Sequence, residues 1–235
     1  MICPNCRKPF YFLTRPSPGK ARCHRCGFSG EASTPSYDSY HETLYLSEHY
    51  VRNQTTDPQM KWILKMLDIR PGDKVVDMGC GVGDYTKAMA LLTGDTAGFD
   101  LNVDAARKKY PGLQFFQANL NQRFPIEDCS VDKVVSVNTI EHLADWVLFL
   151  EETRRILKPG GLVALSTANK SFILHNLHYD STHLHEWTVK EFERITAPYF
   201  QKIFIRKDCA MFKYYPWNFF FCPWLKPDIT FIGKR

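Results

Sequence analysis

The run Val75-Val76-Asp77-Met78-Gly79-Cys80-Gly81-Val82-Gly83-Asp84-Tyr85-Thr86 constrains this chain more than any other stretch. Apolar residues without polar alternation describe a strand covered on both faces, and three glycines at alternate positions describe a tight turn that opens a helix. Residues with no Cβ also let a backbone approach a ligand closely. Around this unit, strand-like runs at 74–78, 96–100, 113–117, 132–137 and 161–167 alternate with helical windows. In the window 145–157, Trp146, Phe149, Leu150 and Leu157 share one face with Thr153. A further helix is expected from Asp57, with Pro58 in its first turn and Met60, Ile63, Leu64 and Leu67 at helical spacing, ending before Pro71-Gly72. Strands alternating with helices predict a doubly wound α/β domain with a mostly parallel sheet. Two more strands are expected at 201–207 and 228–233.

At 235 residues the chain can bury one substantial core and still carry a small module. That module is expected at 1–30, where Cys3-Pro4-Asn5-Cys6 and Cys23-His24-Arg25-Cys26 stand sixteen residues apart. Two Cys-x-x-Cys turns separated by roughly 15–20 residues aim four sulfurs at one tetrahedral ion, so Cys3, Cys6, Cys23 and Cys26 are the expected ligands of a structural Zn²⁺. Four protein ligands close the shell and leave no position for catalysis, and a segment this short needs a metal staple to fold. The net charge of +5 is uneven, because six of the basic residues and no acid fall in 1–30. The ribbon would therefore face an anionic partner, RNA or protein. Residues 31–56, tyrosine-rich with Pro35 and several serines, are expected as a linker or cap-helix region, and 57–235 as the main domain. The start Met1-Ile2-Cys3-Pro4 predicts no secretory leader, and the longest apolar stretch, 217–225, is far short of the ~20 residues of a membrane span. A cytoplasmic location is expected.

The acids around the glycine turn choose its ligand. A diphosphate wants an uncharged helix N-terminus, whereas Asp77 precedes this turn and Asp84 follows it, a pair that repels phosphate and suits a cation. Asp100 stands about 20 residues on, where an acid at the next strand's end can accept both hydroxyls of a ribose. S-adenosylmethionine (SAM), with an amino group, a sulfonium and a ribose, meets all three conditions.

The run 75–86 resembles motif I of the class I SAM-dependent methyltransferases, and Asp100 resembles their ribose-binding acid. Downstream, Asp132-Lys133-Val134-Val135-Ser136-Val137-Asn138-Thr139-Ile140-Glu141-His142-Leu143 resembles their fourth-strand signature, and Leu157-Lys158-Pro159-Gly160-Gly161 the turn before their fifth strand. The resemblance implies a Rossmann-like sheet with an antiparallel last strand. It also implies that Gly79, Gly81 and Gly83 face the methionine part of the cofactor, with Asp77 near its amino group. Asp100 would hold the ribose and Leu101 the adenine. Asn119-Leu120 replaces the usual aspartate and its neighbour at the adenine edge, with the Asn119 amide oxygen as acceptor, and Asn138 faces the transferred methyl.

Methyl transfer needs a base only when the nucleophile carries a proton. His142 follows the fourth strand, and His175, His178, Tyr179, Asp180, His183, His185 and Glu186 follow the fifth. The run His183-Leu184-His185-Glu186-Trp187-Thr188 resembles a His-x-x-x-Trp/Tyr-Thr/Ser segment of small-molecule methyltransferases. Three readings of the histidines stay open: pocket lining with a general base, structural hydrogen bonding, or a second metal site. His142, His185 and His183 are the catalytic candidates. Cys129 and Cys209 read as buried, inert thiols. The aromatic segment 211–225 would cap an apolar substrate, touch a membrane surface or pack on its own domain. The expected acceptor is a small or lipid-like molecule, and no Asn/Asp-Pro-Pro-Tyr/Phe of base-amine methylation follows the fourth strand. RNA methylation docked through the basic ribbon, and a non-catalytic SAM-binding scaffold, are the alternatives.

Overall fold

The computed structural model describes residues 20–22, 29–31, 58–171, 182–208 and 228–235. The chain divides into two compact units, Met1–Tyr50 and Val51–Arg235. In the first, β1 (Lys20–Arg22) and β2 (Ser29–Glu31) form an antiparallel hairpin that pairs Arg22 with Ser29. The four expected zinc ligands, most of the 31–56 linker, His175, His178, Tyr179, Asp180, Cys209 and the aromatic segment 211–225 lie outside the described residues.

The second unit opens with α1 (Pro58–Leu67), which buries Met60, Ile63 and Leu67 at the spacing read from the sequence. Alternation follows: β3 (Lys74–Met78), α2 (Asp84–Thr93), β4 (Asp95–Asp100), α3 (Asp104–Lys109), β5 (Gln114–Gln117), β6 (Val131–Val137), a 3-10 turn (Ile140–His142), α4 (Trp146–Ile156), β7 (Leu157–Ala168), α5 (Val189–Thr196), β8 (Gln201–Asp208) and β9 (Asp228–Lys234). The sheet order is β5-β4-β3-β6-β7-β9-β8. The five strands from β5 to β7 are parallel, while β9 runs antiparallel to both of its neighbours. The doubly wound sheet with an antiparallel last strand is therefore present. The fifth strand starts earlier than the glycines implied, because Leu157 already pairs with Val131 and the Pro159-Gly160-Gly161 turn is a bulge within β7.

From β3 the chain winds outward through β4 to β5, then returns to lay β6 on the other side of β3. The carboxyl ends of β3 and β6 thus diverge into two sets of loops, the crevice where ligands bind in such sheets. One face of the sheet packs α4 and α5 through Phe149, Leu150, Ile156 and Phe192, and the other packs α1 and α2 through Ile63, Leu67 and Met89. Arg155 closes the long β5–β6 connection by donating to the Phe124 and Ile126 carbonyls and to the Glu152 carboxylate. No helix among the described residues is long and apolar enough to cross a membrane.

Phe149 is fully buried in this core, whereas Val147, two positions earlier on α4, is exposed. Phe149→Ala is expected to lower unfolding free energy by about 3–5 kcal/mol and Val147→Ala by under about 0.5 kcal/mol, read by urea denaturation.

Candidate active site

Strand β3 ends in the glycine turn. Gly79 and Cys80 both donate to the Phe99 carbonyl of β4, at 2.7 and 3.1 Å, which folds the loop back over the neighbouring strand's tip. Gly79 lies at φ +84, and a Cβ there would stand 2.1 Å from Oγ1 of Thr139, the second residue beyond β6. At Gly83, φ +83, a Cβ would stand 2.6 Å from the Phe115 ring. Only glycine fits either place, so the turn is pinned between β6 and β5.

Asp77, one residue before the end of β3, is 2% exposed. Its Oδ2 accepts from the Thr86 hydroxyl at 2.6 Å, and no cation among the described residues pairs with it. Burial pushes its carboxyl up to about 7, against the Thr86 hydrogen bond, and the nearby Asp100 and Asp84 add to the rise. Asp100, at the tip of β4, accepts from the backbone N–H of Gly81 at 2.9 Å and of Asn102 at 3.2 Å. Burial raises its carboxyl as well.

Asp84 departs from its expected role. Its Oδ1 receives Lys109 Nζ at 2.6 Å and Tyr110 OH at 2.5 Å, both from the end of α3, so its charge is compensated within the chain. Asp77 and Asp100 have no such ion pair among the described residues.

Leu101 is 36% exposed directly after Asp100. Asn119 is exposed, with its amide oxygen accepting from the Asn121 N–H at 3.0 Å, while the Leu120 side chain turns into the core and leaves only backbone to a ligand. Asn138 sits at φ +51 at the tip of β6, a conformation asparagine tolerates, and accepts from the Ser166 hydroxyl at 3.2 Å. Gln59 of α1 donates to Ser166 Oγ at 2.8 Å and to Thr230 Oγ1 at 3.0 Å. This polar group across β6, β7 and β9 was not read from the sequence, since Gln59 is a lone amide in an otherwise apolar-patterned helix.

His142, His183 and His185 gather on the other side of the crevice. Glu141, in the 3-10 turn, is 1% exposed. Its Oε1 accepts from the Ala168 N–H at the end of β7 at 3.3 Å, and its backbone carbonyl accepts from Leu184 at 2.8 Å and His185 at 3.1 Å. Burial pushes its carboxyl up, opposed by His183. His142 Nδ1 lies 3.2 Å from the Thr182 carbonyl and 3.1 Å from the Thr182 hydroxyl, and His183 Nδ1 lies 3.0 Å from Glu186 Oε1. The two rings meet edge to face at 4.9 Å. His185 instead stacks on Trp187 at 5.7 Å. His142 and His183 are thus brought together, and His185 joins them through its backbone. Glu141 was quoted in the sequence motif without a role; an acid beside a histidine directly after a buried strand is the signal for it. Cys129, read as buried, is exposed at the start of β6's approach, near the Arg235 guanidinium.

Residues 76–165 match the family model described as methyltransferase domain. A protein of Mycobacterium tuberculosis named as an S-adenosylmethionine-dependent methyltransferase is 31% identical over 145 residues, 60% of this chain and 48% of that protein. Demethylmenaquinone methyltransferase of Bacillus cereus is 26% identical over 154 residues, 61% of this chain and 62% of that one. The chain spans about half the length of the first curated relatives it matches. Among solved structures, a chain from the complex of the Haloferax volcanii Trm112 methyltransferase activator with a methyltransferase superposes with a TM-score of 0.68 at 20% identity, over 86% of this chain and 99% of that one. An S-adenosylmethionine-dependent methyltransferase of Mesorhizobium loti gives 0.65 at 17%, over 79% and 100%. The sheet described above has the Rossmann-like fold of these solved structures, and the family match falls on its strands β3 to β7.

Folding carries Asp77 from an ordinary carboxyl value near 4 up to about 7, so the folded chain holds the extra proton and stability falls as pH rises through that window. Asp77→Asn keeps an acceptor for Thr86 and removes the buried charge. It is expected to melt several degrees above the wild type at pH 8 and level with it at pH 4, measured by calorimetry.

Proposed function

We propose that this chain is a SAM-dependent methyltransferase acting on an O, N or C nucleophile of a small-molecule or lipid-like acceptor. The observation that carries the cofactor is Asp77, a buried carboxylate at the sheet's switch point that no cation pairs with among the described residues. An ammonium group from outside the chain meets that need, and the turn before Gly83 lets it approach. Among the described residues the Asp100 oxygens have only backbone N–H partners, so they retain lone pairs for two ribose hydroxyls. Leu101, Asn119 and the Leu120 backbone would bound the adenine, and Asn138 the methyl. When bound, SAM supplies a methyl group on a sulfonium leaving group. What remains for the chain is alignment, worth about 7–11 kcal/mol of the barrier.

A non-polymeric acceptor is supported by the resemblance of 183–188 to small-molecule enzymes and by the relative named demethylmenaquinone methyltransferase. His142, His183 and His185 are the groups that could take a proton from an O–H or N–H acceptor. The four N-terminal cysteines would hold a structural zinc, a reading that rests on their spacing. Their basic module could bring an RNA or protein partner, and the aromatic segment 211–225 a lipid surface.

SAM titrated into the protein is expected to bind with release of about half a proton near pH 7, rising toward one near pH 6, as the ammonium lowers the Asp77 carboxyl; repeating the calorimetry in buffers of different ionisation heat measures it. Asp100→Ala should weaken SAM at least tenfold; unchanged affinity would sink the cofactor assignment. With methyl-labelled SAM and a host extract, label is expected in small-molecule or lipid fractions. Label in nuclease-sensitive polymer would transfer the assignment to RNA.

A further inference from the structure

Glu141, His142 and His183 each place one potential ligand atom within 4.8 Å of the others, near enough that small side-chain rotations bring all three to the roughly 2 Å bond length of one ion. Three further observations point to an ion there. Glu141 Oε2 is buried and makes no well-formed hydrogen bond among the described residues, the Thr167 hydroxyl being its one loose neighbour, an uncommon and costly state for a carboxylate oxygen. His183 holds its Nδ1 against the Glu186 carboxylate at 3.0 Å, the carboxylate–histidine arrangement that orients imidazoles in metal sites. His142 is held the same way, by the Thr182 carbonyl on Nδ1.

We infer that Glu141, His142 and His183 form a binding site for one divalent transition-metal ion, with at least one open coordination position. Two imidazoles and one carboxylate are the donor set of open zinc and iron(II) sites, not of the closed four-sulfur kind expected at the N-terminus. The site stands beside the glycine turn. Thr139 touches Gly79, and Glu141 and His142 follow in the next turn of chain. Resting on the methyltransferase reading above, the open position would take an oxygen of the acceptor. A hydroxyl there loses its proton more readily, to His185 or to water. Its oxygen then forms the bond to the methyl carbon as the carbon–sulfur bond breaks, and the bonding pair leaves on a neutral thioether. His142 and His183 become ligands rather than bases, which leaves His185 alone of the three histidine candidates to accept a proton.

The test uses Co²⁺ as probe on the full chain. Cobalt held by histidine nitrogen and carboxylate oxygen gives weak visible bands, whereas cobalt at thiolates adds intense sulfur-to-metal charge transfer, so the two kinds of site read separately. One equivalent of the weakly absorbing kind is expected, with affinity lowered at least tenfold in His183→Ala and in Glu141→Gln. Glu186→Gln, which leaves all three ligands in place and loosens only the His183 ring, is expected to lower it about tenfold. Absence of the weakly absorbing equivalent, or its persistence in all three variants, overturns the site. SAM titrated into the same samples separates the two readings. SAM binding without the cobalt equivalent rejects the metal site and keeps the methyltransferase; the cobalt equivalent without SAM binding does the reverse.

Discussion

A carboxylate buried at the end of a central strand is the constraint around which this domain is organised. Asp77 cannot move into solvent without breaking the pairing of β3 with β4, where it stands opposite Gly98. It cannot be replaced by an apolar residue without stranding the Thr86 hydroxyl at the mouth of α2. The chain therefore carries an electrostatic cost at neutral pH in a place with no stabilising role. Such a cost is retained where function requires it, and a cationic ligand relieves it. The glycine turn, the switch in strand order and Asp100 at the tip of β4 all surround that one group.

On the opposite side of the crevice a second buried acid plays a different part. Glu141 links three pieces of chain, through the Ala168 amide at the end of β7 and the Leu184 and His185 amides that its carbonyl receives. The segment before α5 is thereby held on the turn after β6. Trp187 packs against Trp146 and Phe192 behind it, so the loop that carries His183 and His185 rests on core aromatics rather than on solvent. The two halves of the crevice meet where Thr139 touches Gly79, which makes any shift of the histidine side a shift of the glycine side.

Much of this was legible from residue order. Every expected strand of the main domain is present within a few residues, because parallel strands covered on both faces are written as short apolar runs that no amphipathic helix imitates. The start of β7 was missed since proline and two glycines look like a stop, yet a bulge accommodates them. Asp84 was misread for another reason. Its partners Lys109 and Tyr110 lie 25 and 26 positions away, and pairing across that distance has no local signature. Gln59 and the Glu141 carboxylate escaped similarly: a polar residue that is buried and one that is exposed are spelled the same way.

The sheet order also sets a timetable for the chain as it is made. Among the described strands β8 has β9 as its sole neighbour, and β9 lies between β8 and β7 although it follows both in sequence. On a ribosome, β3 to β7 can pair as they emerge, but residues 201–208 have no edge to join until 228–234 have been synthesised. During that interval β7 presents an open edge, carrying Leu162, Val163 and Leu165, to whatever lies nearby. The nascent domain is thus most exposed to mispairing just before it is finished, and a helper that shields the edge of β7 would act within that window.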